Sequence, residues 1–448
     1  MNYTVTIEGP NYVIRDSLGS IIAQSADFVT MMNSLSSVVK SGETVLITDG
    51  TYPVGARTNW SANGSTILGI SLNAIIRSLS TYISSQMMIF GSSTNHITID
   101  KITFDNNLAP NPYPPILDAG AYNTVQNCQF LNIMQYGLLA FAADHFQLLN
   151  NYSYGSQYGI STGGGLGYPF STNGLIQRNI IKNSRDSGIK LRWCNNVTAE
   201  GNDIDVAWKT WMNGPASDQN PSGITFYSAD GPNINVIAQY NNIHNSGPAQ
   251  WTSSGVNYSV NGIYVMPDVP ANWSGYSGSS SGMQIIGNLI SGMYRGVRCD
   301  GLNVIIKNNK FIGNTKDIIG SGSWTATGNL YDKTGTGRRK IATSSNLASG
   351  TLIIQGFVLV ANEVVYTEQG SVIVISAKAM AGYSISAFRI NGVDYAPDAN
   401  GLYSLTVGAQ DYTVQAVYVT PPPPTAPIPP RASWLPLAIG AGLILTLP

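Results

Sequence analysis

Eight residues recur through the middle of the chain as one phrase: apolar, any, apolar, any, any, Asn, any, apolar. It reads VTAEGNDI from Val197, VIAQYNNI from Val236, MQIIGNLI from Met283, VIIKNNKF from Val304 and WTATGNLY from Trp324, with a weaker copy, GLIQRNII, from Gly174. The Asn falls at positions 179, 202, 241, 288, 309 and 329. A repeat of about 20 residues dictates a stack of equivalent units, each burying its apolar side with the help of the next. Earlier copies keep the frame but vary the Asn: NHITIDKITF sets Ile102 in its place, NTVQNCQF sets Cys128 there, and DHFQLLNNYSY sets Asn151 there.

A second phrase alternates with the first, Gly followed by apolar, any, apolar: GLLAF from Gly137, GIST from Gly159, GIKLR from Gly188, GITFY from Gly223, GIYVM from Gly262 and GVRCD from Gly296. Two short strands per repeat with Gly and Asn at corners fit one coil of a parallel β-helix, in which each strand pairs with its copy one coil on, about 4.8 Å away. Inward Asn side chains then stack and hydrogen-bond along the axis.

Composition narrows the class. Charged residues are 10% of 448 and the formal net charge is -1, so bulk charge recruits neither nucleic acid nor an anionic membrane. Solubility rests on Ser, Thr, Asn and 47 Gly, a surface that suits extracellular and virion proteins. Cys128, Cys194 and Cys299 are odd in number and widely spaced. They read as small interior hydrophobes rather than disulfide or metal ligands. The start, MNYTVTIEGP, has neither the basic nor the apolar region of a secretory signal.

Residues 1–52 read as an N-terminal cap, a helix plus a first strand. Ser25 is placed to N-cap a helix from Ala26, with Phe28, Met31, Met32, Leu35, Val38 and Val39 on one face. Residues 53–335 carry the β-helix. Residues 341–420 alternate at period two and read as a small all-β domain. Residues 421–431 are a stiff proline-rich linker. Residues 432–448 are an apolar tail, marginal for crossing a bilayer of about 30 Å; it is expected to anchor the chain to a membrane, or to dock on another subunit.

Residues 12–332 resemble the right-handed parallel β-helix, or pectin-lyase-like, superfamily, and DFVTMMNSLSSVVKSGETVLITDGTY is similar to the N-terminal cap of its members. SVIVISAKAMAGYSISAFRING and DYTVQAVYV resemble the internalin-type bacterial repeat of surface proteins. The first resemblance implies the fold and leaves the chemistry open, since this scaffold hosts lyases, hydrolases, epimerases, tailspikes and adhesins. It also implies a homotrimer, as among tailspikes. The second implies a spacer or binding module.

Alternation on the Gly-led strand sends Ile189, Leu191, Ile224, Phe226, Ile263, Val265, Val297 and Cys299 inward, and Lys190, Arg192, Thr225, Tyr227, Tyr264, Met266, Arg298 and Asp300 outward. The Asn column shows where coils are lengthened: Asn202 to Asn241 spans 39 residues and Asn241 to Asn288 spans 47. The insertions flank the Gly-led strand and carry Trp208, Trp211, Trp251, Tyr258, Trp273 and Tyr276, while the 161–173 loop adds Tyr168 and Phe170. Long loops on a solenoid mark a binding face, and aromatic rings bind the apolar faces of sugars. The carbohydrate-binding set is therefore Trp208, Trp211, Trp251, Tyr258, Tyr264, Trp273 and Arg298.

Two catalytic chemistries fit the outward residues. Glycoside hydrolysis needs two carboxyl groups, which Asp203 and Asp205 supply, flanking inward Ile204 about 7 Å apart. β-Elimination on a uronic-acid polymer needs a base and a cation on the carboxylate, which Lys190, Arg192, Tyr227, Tyr264 and Arg298 could supply. Asp203 and Asp205 could also hold calcium. His244 stands at the mouth of the second insertion; His96 and His145 read as turn residues. The adjacent Asp pair and Gly-His-Gly of polygalacturonases are absent, as are the Trp-Ile-Asp-His and Arg-x-Pro-x-x-Arg elements of pectate lyases, so no catalytic residue transfers from the superfamily. The expectation is a surface- or virion-associated protein recognising a polysaccharide, of the adhesin or receptor-binding type. The alternatives are a pectate-lyase-like polysaccharide lyase or a glycosidase, and a structural spacer or lattice subunit.

Overall fold

The structure is a computed structural model that describes residues 2–79, 86–107, 114–133, 135–164, 168–206, 221–228, 231–253, 256–268, 279–344 and 349–420. Each regular coil holds three strands, not two, because the Asn phrase is itself two strands around a corner. In one coil these are Thr198–Glu200, Asp203–Asp205 and Ser222–Tyr227. Each pairs in parallel with its copy in the next coil: Thr198 opposite Ile237, Asp203 opposite Asn242, Ser222 opposite Asn261. Repeated along the chain, they form a first, second and third sheet of 14, 16 and 10 strands, the first two lengthened by the terminal modules.

The corner between the first and second sheets is held by backbone geometry and by Asn. The residue before each Asn lies in the left-handed region: Asn150 (φ 54), Arg178 (55), Gly201 (62), Tyr240 (55), Gly287 (65), Asn308 (58) and Gly328 (65). For Arg178 and Tyr240 that conformation costs about 1 kcal/mol. Across the corner the buried Asn amides link coil to coil. Asn202 donates both its backbone N–H and its Nδ2 to Asn241 Oδ1, at 3.0 and 2.9 Å, and also donates Nδ2 to Ile176 O at 3.0 Å. The pattern runs from Asn151 through Asn179, Asn202, Asn241, Asn288 and Asn309 to Asn329. Cys128 opens the column, donating its N–H to Asn151 Oδ1. All the amides point the same way, so the last coil presents unused donors, and a carboxylate meets them. Glu368, from the C-terminal domain, accepts from Asn329 N and Nδ2 at 3.0 and 2.9 Å and from the Tyr331 hydroxyl.

The inward residues of the Gly-led strands are fully buried, as alternation requires. The glycines are needed because this strand passes close to the second sheet. A Cβ at Gly223 would stand 2.2 Å from Ile243 Cγ2 and 2.7 Å from Gly262 O, and one at Gly188 would stand 2.5 Å from Ile204 Cγ2.

The N-terminal cap holds more than the expected helix and strand. Asn2–Glu8 pairs in parallel with Thr44–Ile47 of the first coil, then continues into antiparallel strands Asn11–Arg15 and Ile21–Ser25. The helix is Phe28–Ser36. Its N-cap is Asp27, whose carboxylate accepts from Val29 N and Thr30 N, while Ser25 Oγ accepts from Asp27 N. The helix stops before Val38, which is exposed. Phe28 packs on Tyr52 and Tyr12, with ring centroids at 4.9 and 5.6 Å, so the apolar stripe does cover the first coil.

At the other end the second sheet runs on into the small domain. Leu330–Tyr331 pairs antiparallel with Val364–Glu368, which pairs with Arg338–Thr343. A separate four-stranded sheet lies across it, and the two enclose a second core that includes Leu352, Ile373, Phe388 and Val414. Among the described residues no helix is long and apolar enough to cross a membrane; the proline-rich linker and apolar tail lie outside the described residues.

Candidate functional site

The outward face of the third sheet gathers rings and cations on successive coils. Tyr136 and Tyr158, one coil apart, stack at 4.9 Å. The Lys190 ammonium lies 4.4 Å from the Tyr158 ring centroid and 3.9 Å from that of Tyr227, and Arg192 flanks Tyr227 at 5.9 Å. Two coils further on, Arg298 lies 4.5 Å over Tyr264 and pairs with Asp300 at 2.7 Å. Lys190 does point away from the solenoid interior, yet it is only 8% exposed. The alternation assigned its side correctly but could not show that tyrosines would cover it. An ammonium between two ring faces gains cation–π attraction, about 0.5–2 kcal/mol per ring depending on desolvation.

Burial, and then the Asp186 carboxylate, push the Tyr158 hydroxyl far above the ordinary tyrosine range. Burial also raises Tyr264, against the opposing charge of Arg298. Both hydroxyls therefore act as hydrogen-bond donors rather than bases near neutral pH. Arg295, one residue before Gly296 on this sheet, has its pKa lowered by burial first and by Arg298 second. Tyr136, Tyr158 and Arg295 escaped the sequence reading, though the signal was present: each immediately precedes the Gly of a Gly-led phrase.

Asp203, Asp205 and His244 are brought together, but on the second sheet. Asp205 stands opposite His244 in the register. His244 Nε2 is 3.4 Å from Asp203 Oδ1 and its Nδ1 is 3.8 Å from Asp205 Oδ1. Asn242 Nδ2 donates to Asp203, and Ser246 donates both N–H and hydroxyl to Asp205. These donors reach Asp203 Oδ1 and both carboxylate oxygens of Asp205. Among the described residues no group of three or more His, Cys, Asp or Glu is placed to hold a metal. The proposed catalytic residues thus divide into two groups on two sheets: Lys190, Arg192 and Tyr227 on the third, Asp203, Asp205 and His244 on the second. His96 and His145 occupy left-handed corners and stack on Tyr122 at 4.9 and 4.4 Å.

In the chain, the insertions adjoin strands of the third sheet. One enters after Asp205 and before Ser222, a second between His244 and Asn261, and a third follows Val265. Within the second, Gln250–Ser253 and Val256–Ser259 form an antiparallel hairpin with Trp251 opposite Tyr258. Trp208, Trp211, Trp273 and Tyr276 lie outside the described residues. The three cysteines are free and buried, with burial pushing each thiol up to about 12, so they are inert.

A family model for the "Right handed beta helix region" matches residues 116–269, a stretch that holds the site from Tyr136 to Tyr264 and the first two insertions. The solenoid is a right-handed parallel β-helix. Geobacillus virus E2 ORF18 aligns over 88% of this chain and 73% of its own, with 13% identity and a TM-score of 0.51. The enzymatically active domain of bacteriophage CBA120 tailspike protein 2 aligns over 92% and 72%, with 12% identity and a TM-score of 0.50. The Streptococcus pneumoniae surface protein and adhesin PfbA aligns over 68% and 92%, with 14% identity and a TM-score of 0.45. By sequence, no curated protein matches the chain. At these identities the likeness establishes the β-helix alone.

Proposed function

We propose that the chain is a surface- or virion-borne protein that binds an acidic polysaccharide along the outward face of its third sheet. One observation carries this reading: rings and cations occupy successive coils, from Tyr136 and Tyr158 through Lys190, Arg192 and Tyr227 to Tyr264 and Arg298, on the sheet whose strands the insertions adjoin in the chain. The coil spacing of about 4.8 Å is comparable to the length of one sugar residue, so a polymer laid along the axis meets a ring or a cation at each step. Sugar faces stack on the rings, and carboxylates lie on Arg192 and Arg298. Isothermal titration against acidic and neutral polysaccharides tests it. Saturable binding of an acidic polymer that weakens on Arg192→Ala and Tyr227→Ala is expected; equal binding by those variants would overturn the assignment.

A second reading, polysaccharide lyase, is favoured by the contact of Lys190 with Tyr227 beside Arg192. In β-elimination a base removes the proton α to the uronate carboxylate and the glycosidic oxygen leaves, creating an unsaturated end. Tyr227, beside the Lys190 ammonium, would be the base and Arg192 the cation on the carboxylate. Ultraviolet absorbance of new double bonds, lost on Arg192→Ala, would support it; no absorbance change across acidic polymers would eliminate it.

A further inference from the structure

The three sheets of the solenoid present unlike outer faces. Outward residues of the second sheet include Arg77, Asp105, Lys182, Asp203 and Asp205. Those of the third include Lys190, Arg192, Arg298 and Asp300. On the first sheet, from Thr44–Ile47 to Trp324–Thr327, the outward residues form two columns made of Thr, Gln, Leu and Ile. Only Asp100, Glu200 and Lys307 in those columns are charged, and none of their residues is aromatic. Leu149, Leu175, Ile237 and Ile286 are partly exposed in the middle of the face, while Asp100 and Lys307 lie towards its two ends. An apolar centre depleted of charge, with charges towards the rim, is the anatomy of a protein–protein interface. Glu200, the one charge near the centre, accepts from Gln239 Nε2 at 3.1 Å.

The charges also fix a register. In one column Gln177 and Glu200 are neighbours. Counting away from them, Leu149 and Gln126 lead to Asp100 on the third strand to one side. Gln239 and Ile286 lead to Lys307 on the third strand to the other. A two-fold axis along the strand direction, passing between Gln177 and Glu200, lays a second copy antiparallel on this face with each column over itself. It sets Asp100 of each copy opposite Lys307 of the other, and Glu200 opposite the amide of Gln177, so no like charges meet. The four central Leu and Ile residues of both copies surround the axis. A parallel pairing, with the axis along the solenoid, would instead set Asp100 on Thr98 and Lys307 on Ile305, with no opposite charge across from either. Ten strands take part, from Thr66–Gly69 to Trp324–Thr327. At about 4.8 Å spacing and about 10 Å width they cover about 500 Å² per copy, or about 1,000 Å² in all as a flat projection, which is what a specific interface must clear.

We propose that the outer face of the first sheet is where two copies of this chain pair, antiparallel, about a two-fold axis between Gln177 and Glu200, with Asp100 of each copy on Lys307 of the other. The two sheets lie face to face, about 10 Å apart. The pairing uses neither the second nor the third sheet, so it stands or falls independently of what the third sheet binds.

Sedimentation velocity of the full chain, from about 1 μM to about 50 μM at low salt, tests the pairing. A monomer–dimer equilibrium is expected. Its dissociation constant should rise at least about tenfold in Lys307→Glu, which sets carboxylate against carboxylate twice per dimer, and as much in Leu175→Lys beside the axis. Both side chains are partly exposed and point outward, so melting temperatures of these variants should match the parent chain. Asp100→Lys combined with Lys307→Glu exchanges the two charges and should restore the dimer. Asp100 also accepts from Gln126 and Asn127 of its own chain, at 3.1 and 2.8 Å. Should the exchange unfold the chain, Asp100→Asn added to Lys307→Glu keeps an acceptor for them and should recover part of the lost affinity. A monomer throughout, a trimer, or a dimer indifferent to Lys307→Glu would overturn the proposal. A folded exchange variant as weak as Lys307→Glu alone would overturn the antiparallel register.

Discussion

The corner between the first and second sheets and the outward face of the third sheet respond differently to the same chain. Successive Asn residues at the corner are 23, 39, 47, 21 and 20 residues apart from Asn179 onward, yet each backbone N–H reaches the next Asn Oδ1 at 2.9–3.0 Å. All of the variation in length is absorbed around the third sheet. A buried amide that must find another amide tolerates no change in register, whereas the outer side of a strand tolerates any loop that returns to its start. The corner therefore supplies stability and the third sheet is free to supply recognition.

The contrast can be broken from the corner first. Asn241→Ala would leave Asn202 N and one Nδ2 hydrogen without an acceptor in the core, and is expected to cost about 3–5 kcal/mol, read as a lowered midpoint in urea. Loss below about 1 kcal/mol would mean that the column is ornamental. Inside the third sheet, Asp118 is wholly buried, with Oδ1 accepting from Gly120 N and Asn123 Nδ2, and Oδ2 without a partner. Burial raises its pKa to about 6. The folded chain therefore holds this proton where the unfolded chain has lost it. Stability from this group is full below about pH 4, falls as pH rises to about 6, and stays lower above, by about 3 kcal/mol. Asp118→Asn should remove that fall, and melting curves at pH 4 and pH 8 check it.

At the seam, Glu368→Gln keeps one acceptor but exchanges charge-assisted bonds for neutral ones. About 1–2 kcal/mol is the expected loss, measured as earlier proteolysis of the small domain. On the outer face the expected structural effect is smallest. Tyr227→Ala should change stability by less than about 1 kcal/mol while weakening acidic-polymer binding about tenfold. A large melting shift with no binding change would reverse the assignment of the two regions.

How much could be read in advance follows the same division. The Asn column, its continuation through Cys128 and Asn151, and the inward set from Ile189 to Cys299 were legible because a stacked coil repeats one environment. The split of the Asn phrase into two strands was not, since a single left-handed residue such as Arg178 or Tyr240 makes a corner without a Gly to mark it. For the same reason the sequence does not separate Asp203 and Asp205 from Lys190, although the corner sends them to another sheet. Period-two alternation says which side a residue takes and is silent about what covers it, as with Lys190 beneath Tyr158 and Tyr227. The three N-terminal strands were missed because they follow no repeat.

The one-way chain of amides has a consequence for how such a molecule can be lengthened or shortened. Each Asn asks its neighbour only to be another Asn, so coils are interchangeable parts, and only the terminal carboxylate of Glu368 is particular. Excising residues 289–309, one 21-residue step, would bring Asn288 directly before Lys310, with Asn329 as its new neighbour and Glu368 still closing the row. Such a shortened chain should fold with its small domain docked. The same shortened chain with Glu368→Ala, which leaves Asn329 N and Nδ2 without their acceptor, should hold its small domain less firmly.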